Sequence, residues 1–356
     1  MSTSLQESFT QPLLRWYDEH GRKDLPWQNP RSDYRVWVSE IMLQQTQVKT
    51  VIPYFNRFIH TFSNIYALAN AAEDQVLAHW SGLGYYSRAR YLHQTAKIIC
   101  TDFNGVFPSD IEQLKQLPGI GPSTAAAIAS LAYQQPTAIL DGNVKRVLSR
   151  YFLIEGNPQK SHVHQQLWAL ATDCMPNTRC ADYTQAIMDL GATCCTSKHP
   201  QCSVCPLQAS CLAKQQNEVL NYPQKKPKKT LPTKHQQFLV IHTDEPLIFL
   251  EKRPPTGIWG GLWCLPSIEP SECPKDFIAK KYQLITEQTT ELMSMRHTFT
   301  HFHLQINAVS LKTKPIINTL RESNNGWFAP QDMSSLGLAK PVSDIIQYFL
   351  NCAGMN

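Results

Sequence analysis

A chain of 356 residues with 33 basic and 28 acidic side chains is long enough for two domains with cores of their own. No apolar run approaches the roughly 20 residues of a membrane span, and the polar start, Met1–Pro12, lacks a signal-peptide core. These features argue against a membrane or exported class and make the cytoplasm the expected location, where eleven cysteines need a use other than disulfides. The basic excess is confined to the first part: residues 1–233 hold 22 basic and 17 acidic side chains, and residues 234–356 hold 11 of each. Lys225, Lys226, Lys228 and Lys229 form one run within it. Such a surface suits a polyanion, although a lysine-rich linker is more often simply solvated.

From about residue 6 to 216 apolar residues recur at helical spacing, as over Val36–Phe62, Ala72–Trp80, Tyr91–Ile99, Val144–Phe152 and Val163–Thr172. Short breaks carrying Gly, Pro or Asn separate them. Tyr222–Lys234 is rich in Pro and Lys and reads as a linker. Beyond it the period shortens, predicting strands over Phe238–His242, Leu247–Lys252, Arg296–Ile306 and Trp327–Phe328, with a closing helix over Val342–Leu350. The expected organisation is an all-α domain over residues 1–221, a basic linker over 222–234 and a smaller α+β domain over 235–356.

Leu117-Pro-Gly-Ile-Gly121 leads through Pro122 and Ser123 into the Ala-rich stretch Thr124–Ala132. Two glycines around one apolar residue, ahead of a helix-forming run, make a tight helix–hairpin–helix turn. Gly119 and Gly121 permit close backbone approach to a phosphate, and a helix N-terminus favours anions. Ser109-x-x-Glu112 reads as a capping box for the preceding helix. Further on, Cys195, Cys202, Cys205 and Cys211 follow the spacing C-x6-C-x2-C-x5-C. Four thiolates in so short a loop suit either zinc or an iron–sulfur cluster, and spacing alone leaves both open. Choosing Cys194 instead of Cys195 would lengthen the first gap to seven.

The hairpin, the aspartate at Asp141 some twenty residues on and the cysteine loop together resemble the endonuclease III superfamily of DNA glycosylases. That resemblance implies a [4Fe–4S] cluster on the four cysteines, mainly structural, which helps present a basic loop containing Lys198 and His199 to DNA. Excising a base from its sugar asks for an acid to protonate the leaving base and an anion near the developing positive charge. Asp141 suits the second role, although an ordinary helix N-cap explains it when taken alone. Glu40 suits the first. It is the sole charge between Val36 and Val48, among Trp37, Val38, Ile41 and Leu43, surroundings that desolvate a carboxyl and raise its pKa.

Within the superfamily, Ser39-Glu-Ile-Met-Leu-Gln-Gln-Thr-Gln-Val48 resembles the MutY family of adenine DNA glycosylases. So do Leu25-Pro26-Trp27, Gly82-Leu-Gly-Tyr-Tyr86 with Arg88 and Arg90, and Ile139-Leu-Asp-Gly-Asn-Val-Lys-Arg-Val147. The resemblance spans nearly the whole chain. It implies that Glu40 protonates adenine at N7, that Asp141 stabilises the sugar cation, and that Asn143 and Ser123 support them. Trp27, Leu43 and Gln185 would line the adenine pocket. Gln45 and Tyr85 would wedge into the duplex, with Gly82, Arg88, Gly119, Gly121 and Lys145 also meeting DNA. Bifunctional members carry lysine where Ser123 stands, and that amine forms a Schiff base that leads to strand cleavage. Serine cannot, which implies hydrolysis to an abasic site.

In the second domain Gly257-Ile-Trp-Gly-Gly-Leu-Trp-Cys-Leu-Pro266 and the strand pattern resemble the Nudix fold. Nudix hydrolases need a helix bearing several glutamates. Here the corresponding stretch holds only Glu269 and Glu272, interrupted by Pro270 and Pro274, so a recognition module is expected. Arg296-His-Thr-Phe-Thr-His-Phe-His303 reads as a strand with imidazoles on one face. By resemblance, Phe299, Thr300 and His301 match a loop that recognises 8-oxoguanine, with threonine in place of the family's serine. The expected partner is duplex DNA with A·8-oxoguanine or A·G mispairs, bound by a monomer. Two alternatives are a bifunctional glycosylase acting on oxidised pyrimidines and an inert damage sensor. Ser123 and the extra domain argue against the first, and the two carboxylates against the second.

Overall fold

Short polar side chains ahead of apolar runs start the helices that build the site. In the computed structural model, which describes residues 5–224, 226, 230–245, 247–314 and 324–354, the first helices are α1 (Gln11–His20), α2 (Asp33–Leu43), α3 (Val48–Thr61), α4 (Ile65–Ala69), α5 (Glu73–Trp80) and α6 (Ser87–Asp102). They are followed by α7 (Ile111–Gln116), α8 (Pro122–Tyr133), α9 (Gly142–Tyr151), α10 (Ser161–Cys174), α11 (Cys180–Asp189) and α12 (Leu212–Gln215). Ser32 caps α2 by accepting from the Arg35 amide, and Asn64 caps α4 through the Ala67 amide. The capping box expected at Ser109 and Glu112 is not formed. Asp110 caps α7 instead, accepting from the Gln113 amide at 2.9 Å, which places Leu114 fully in the core. Lys225, Lys228 and Lys229 of the basic run lie outside the described residues.

The described residues of Met1–Asn70 and Gln94–Lys228 form one compact unit, and those of Ala71–His93 and Lys229–Asn356 form another. In the first, α8 is rich in alanine and buried from Ala125 to Leu131. Its alanines let α2 and α11 pack directly on it, and the buried Ser130 and Thr184 hydroxyls pair at 2.8 Å. Trp37, Phe55 and Phe58 are fully buried nearby, each such side chain contributing about 2–3 kcal/mol by its removal from water. The apolar run Val36–Phe62 is two helices rather than one, because Gln45 takes a left-handed φ of 57° and turns the chain between α2 and α3.

The second unit is a mixed sheet with strands β1 (Thr233–His242), β2 (Ile248–Lys252), β3 (Trp263–Cys264), β4 (Ser267–Ile268), β5 (Thr286–Thr298), β6 (His303–Thr313) and β7 (Asn325–Phe328). Their order is β3-β2-β1-β6-β5, with β4 also on β1 and β7 on β2. β1 and β6 are parallel, and the other pairs are antiparallel. Phe238, Leu239, Val240 and Ile241 of β1 are all fully buried, as a central strand covered on both faces requires. Leu239 and Ile241 pack with Ile278 of α13 (Pro274–Tyr282), while the His242 ring lies tilted against Phe349 of α14 (Lys340–Ala353). α13 follows the Gly257–Pro266 segment within ten residues. Its only acid is Asp276, beside Lys275, Lys280 and Lys281.

The strand expected over Arg296–Ile306 is a hairpin. β5 ends at Thr298 and pairs with His303, and the chain reverses over 299–302. No glycine, proline or asparagine marks that reversal, so periodicity read it as continuous. α5 belongs to this unit as well. Its Asp74 pairs with Lys252 at 2.7 Å and accepts from the Trp263 indole at 3.3 Å. A Cβ at Gly337 would lie 2.5 Å from that of Leu77, so only glycine lets the chain pass so close to α5. Among the described residues no helix is long and apolar enough to cross a membrane.

Candidate active site and reading surfaces

α2 buries Trp37, Val38, Ile41 and Met42, which turns Glu40 and Leu43 toward a cleft of about 900 Å³. Trp27, Ser123, Asp141, Asn143 and Gln185 line the same cleft. Glu40, half-buried in its wall, is lifted from 4.5 to about 7, first by desolvation and then by the negative charge of Asp141. Asp141 caps α9. Its carboxylate accepts from the Val144 amide at 2.7 Å and from Asn143 Nδ2 at 3.0 Å. Burial raises its pKa, while these donors and the Arg146 charge oppose the rise and favour the anion. Burial raises both carboxyls of the cleft, and they differ in that only Asp141 has hydrogen-bond donors and a nearby cation that favour its anion.

Behind Asp141, Asn143 Oδ1 accepts from Arg146 Nη2 at 2.9 Å, and Arg146 also reaches the carbonyls of Gly191 and Cys195. A side chain at Gly191 would collide with Asn143, since its Cβ would sit 2.5 Å from that of Asn143. Ser123, in the first turn of α8, accepts from the Leu140 amide at 3.1 Å. Gln44 Nε2 spans from the end of α2 to Gly119 O and Thr124 Oγ1, each at 3.3 Å, tying the α2–α3 turn to the hairpin. Gly119 has φ 76°, and Gly121, the N-cap of α8, has open space around it. Lys145 lies in the first turn of α9.

Two residues escaped the sequence reading, Arg22 in the lining of the cleft and Asp189 outside that lining. Asp189, fully buried, accepts from Arg22 through its amide at 2.7 Å, Nε at 2.9 Å and Nη2 at 2.6 Å. Its Oδ1 also accepts from Gln185 Nε2 at 2.7 Å, which fixes the orientation of that amide in the cleft wall. Asp189 lies one helical turn after Gln185 on α11 and Arg22 lies just ahead of Leu25-Pro26-Trp27, but no local pattern joins the two. Trp27 itself is buried edge-on to Phe55.

Cys195, Cys202, Cys205 and Cys211 ring one hollow with Arg150 and Lys214, and Cys194 borders it too. Among the described residues no three ligating side chains are arranged to hold a metal ion. Arg150, buried, donates to Cys195 Sγ at 3.3 Å and to the carbonyls of Thr196 and Tyr222. Its fixed positive charge suits a set of thiolates. Cys194 instead donates its thiol to the Gln201 carbonyl. Lys198 and His199 are exposed on the loop between the first two cysteines.

In the second unit the turn between α5 and α6 has three residues at positive φ: Gly82 (92°), Gly84 (75°) and Tyr85 (49°). Tyr85 is 44% exposed, whereas Tyr86 is buried and donates to Leu338 O. Gln45 and Tyr85 share a feature that periodicity cannot show. Each is a non-glycine side chain held exposed in a left-handed conformation, at a cost of about 1 kcal/mol or more. Arg88, read from sequence as a DNA contact, is buried. Its Nη2 donates to the carbonyls of Leu83 and Gly84, and its guanidinium lies over Trp80 and Tyr85. It shapes the turn from within.

At the tip of the β5–β6 hairpin Phe299 is half-buried, its ring stacked on buried Phe302 at 4.7 Å, while Thr300 and His301 are exposed. The Phe299 amide donates to Phe302 O at 2.9 Å and closes the turn. Of the three residues expected to read a base, two project and one anchors.

A family model described as HhH-GPD superfamily base excision DNA repair protein matches residues 38–172, and a NUDIX domain model matches residues 237–348. The adenine DNA glycosylase of Buchnera aphidicola subsp. Acyrthosiphon pisum (strain APS) is 40% identical over 343 residues, covering 96% of this chain and 97% of the relative. That of Homo sapiens is 32% identical over 407 residues, covering 96% of this chain and 74% of the relative. Among solved structures, a thermostable thymine-DNA glycosylase is similar with a TM-score of 0.55 and 26% identity, over 60% of this chain and 99% of that one.

Proposed function

The chain belongs to the adenine DNA glycosylase family, and from that premise we propose that it removes adenine lying opposite 8-oxoguanine, with A·G as a second substrate and A·C a weaker one. The observation that carries the chemical part of this reading is the Glu40–Asp141 pair in one cleft, with Glu40 lifted to about 7.

The adenine leaves the stack at a cost of a few kcal/mol, smaller at a mispair. Gln45 and Tyr85 serve as wedges, a role supported by their exposure on strained turns. In the cleft, Gln185 has its amide nitrogen committed to Asp189, so its carbonyl oxygen is the end that accepts from the adenine amino group. Trp27 and Leu43 give the base apolar walls. Glu40 delivers its proton to N7 and then, as a carboxylate, draws a proton from the incoming water. Asp141, held ionised by Val144 and Asn143, sits against the positive charge that develops on the sugar. Asn143 and Ser123 hold this arrangement, and Lys145, Gly119 and Gly121 face the phosphates. Serine at position 123 supplies no amine, so the product is an abasic site in an intact strand.

Cys195, Cys202, Cys205 and Cys211 hold one [4Fe–4S] cluster, a choice supported by the family and by the hollow and the buried Arg150. When bound, the cluster supplies a rigid cross-link for the loop that carries Lys198 and His199. The exposed Thr300 and His301 read 8-oxoguanine, with Phe299 beneath them.

The decisive measurement uses duplexes carrying A·8-oxoguanine, A·G or A·C, incubated with purified protein and then treated with alkali to cleave abasic sites. Excision fastest at A·8-oxoguanine, slower at A·G and slowest at A·C is expected. Equal rates at the first two would defeat the lesion assignment.

A further inference from the structure

Trp259, like Tyr85, is an aromatic residue in the left-handed region, with φ 54°, a conformation such a side chain keeps only where its surroundings impose it. The loop around it is closely folded. The Leu262 amide donates to Trp259 O at 3.0 Å, the Gly261 amide reaches Arg253 O and Pro254 O, and the Arg253 amide donates to Leu262 O at 2.8 Å. A Cβ at Gly260 would lie 2.5 Å from Pro255 O, so the backbone passes there with no room for a side chain. Arg90, on α6 directly after the Tyr85 turn, donates to the Gly260 carbonyl.

This loop delivers the indole to the reading hairpin. Trp259 is 8% exposed and lies 5.4 Å from the Phe299 ring, 5.6 Å from His297 and 6.2 Å, edge-on, from Phe238 in the central strand. Phe299 therefore has Trp259 and His297 among its ring neighbours besides Phe302, at 4.7 Å for each of the latter two. Packing of this kind leaves few rotamers to the anchoring ring.

We propose that Trp259 is a positioning residue for lesion recognition: its indole fixes Phe299, and through Phe299 the turn that presents Thr300 and His301. This rests on reading that turn as the 8-oxoguanine contact. Trp259 touches no base itself, so its removal blunts the preference for A·8-oxoguanine over A·G without slowing A·G excision.

The test measures single-turnover excision by the full-length protein on both duplexes for Trp259→Ala, Trp259→Phe, Phe299→Ala and the double alanine variant. Trp259→Ala should reduce the preference by about fivefold to tenfold while changing A·G excision less than twofold. Trp259→Phe should recover most of the preference, which a merely unfolded loop would not explain. The double variant should be no worse than Phe299→Ala alone, because both act through one ring. Full preference in Trp259→Ala alongside its loss in Phe299→Ala overturns the proposal and leaves the hairpin reading intact. So do losses that multiply in the double variant. Full preference in Phe299→Ala removes the hairpin reading and this proposal together.

Discussion

Ser123 Oγ accepts the Leu140 amide at 3.1 Å, so the first turn of α8 holds the residue immediately ahead of Asp141. Ser123→Ala leaves that amide without its acceptor at a residue that is 3% exposed. A loss of about 1 kcal/mol in stability is expected, with excision slowed several-fold as Asp141 loosens. Thermal melting and single-turnover rates check it, and an unchanged rate would show that the contact does not place Asp141.

In the proposed mechanism position 123 also sets the outcome on the strand. Borohydride added during turnover should trap no covalent enzyme–DNA adduct at the level of a true lyase, because no amine stands at Ser123. Strong trapping would mean that another amine reaches the sugar.

Glu40 carries a pH signature in both rate and stability. An acid that must start protonated gives excision that declines as pH rises through about 7, and Glu40→Gln should abolish excision. For stability, the folded pKa lies above the unfolded value. The contribution of Glu40 is therefore fully present below about 4.5 and lost as pH rises through about 7. Glu40→Gln should accordingly be more stable than the parent at pH 8.5, by about 1–2 kcal/mol once solvent in the open cleft is allowed for, and no more stable than the parent at pH 4. A constant difference across that range would contradict the desolvated carboxyl.

Asp141→Asn separates charge from structure. Asparagine caps a helix about as well as aspartate, so α9 should stay in place while the negative charge is lost. Single-turnover excision should fall at least about a hundredfold with mismatch binding retained in a gel-shift assay. Near-normal excision would remove Asp141 from its proposed role.

The cysteine loop offers a colour test. The purified protein should be yellow-brown and contain iron and acid-labile sulfide in equal amounts, and Cys202→Ser should lose both. Zinc in place of iron would overturn the cluster assignment.

The side chains that meet in the cleft and around the cysteine hollow were legible because they sit in short local patterns. Glu40 stood out as a lone charge in an apolar helix, Asp141 as the residue ahead of a helix start, and the cysteines by their spacing. What escaped involved distance or an unusual backbone. Asp189 meets Arg22 across 167 residues, and nothing local announces that pairing. Arg88 looked like a surface cation on a helix, yet the carbonyls freed by the Gly82–Tyr85 turn draw its guanidinium inward. The reversal at Phe299–Phe302 carries none of the usual turn residues, because aromatic stacking rather than glycine closes it.

The grouping of residues 71–93 with the C-terminal unit also bears on how the protein is made. Ser81 and Tyr86 both donate to the carbonyl of Leu338, and Asp74 waits for Lys252. A ribosome adding about 5–20 residues per second delivers Leu338 some tens of seconds after Tyr85. Throughout that interval Leu77 has not met Gly337, and the nascent chain carries a helix with an uncovered apolar face in its middle. The turn bearing Tyr85 is therefore among the last parts to take shape. A chain stalled before residue 338 should offer that helix to chaperones and proteases while the helices on either side of it have already folded.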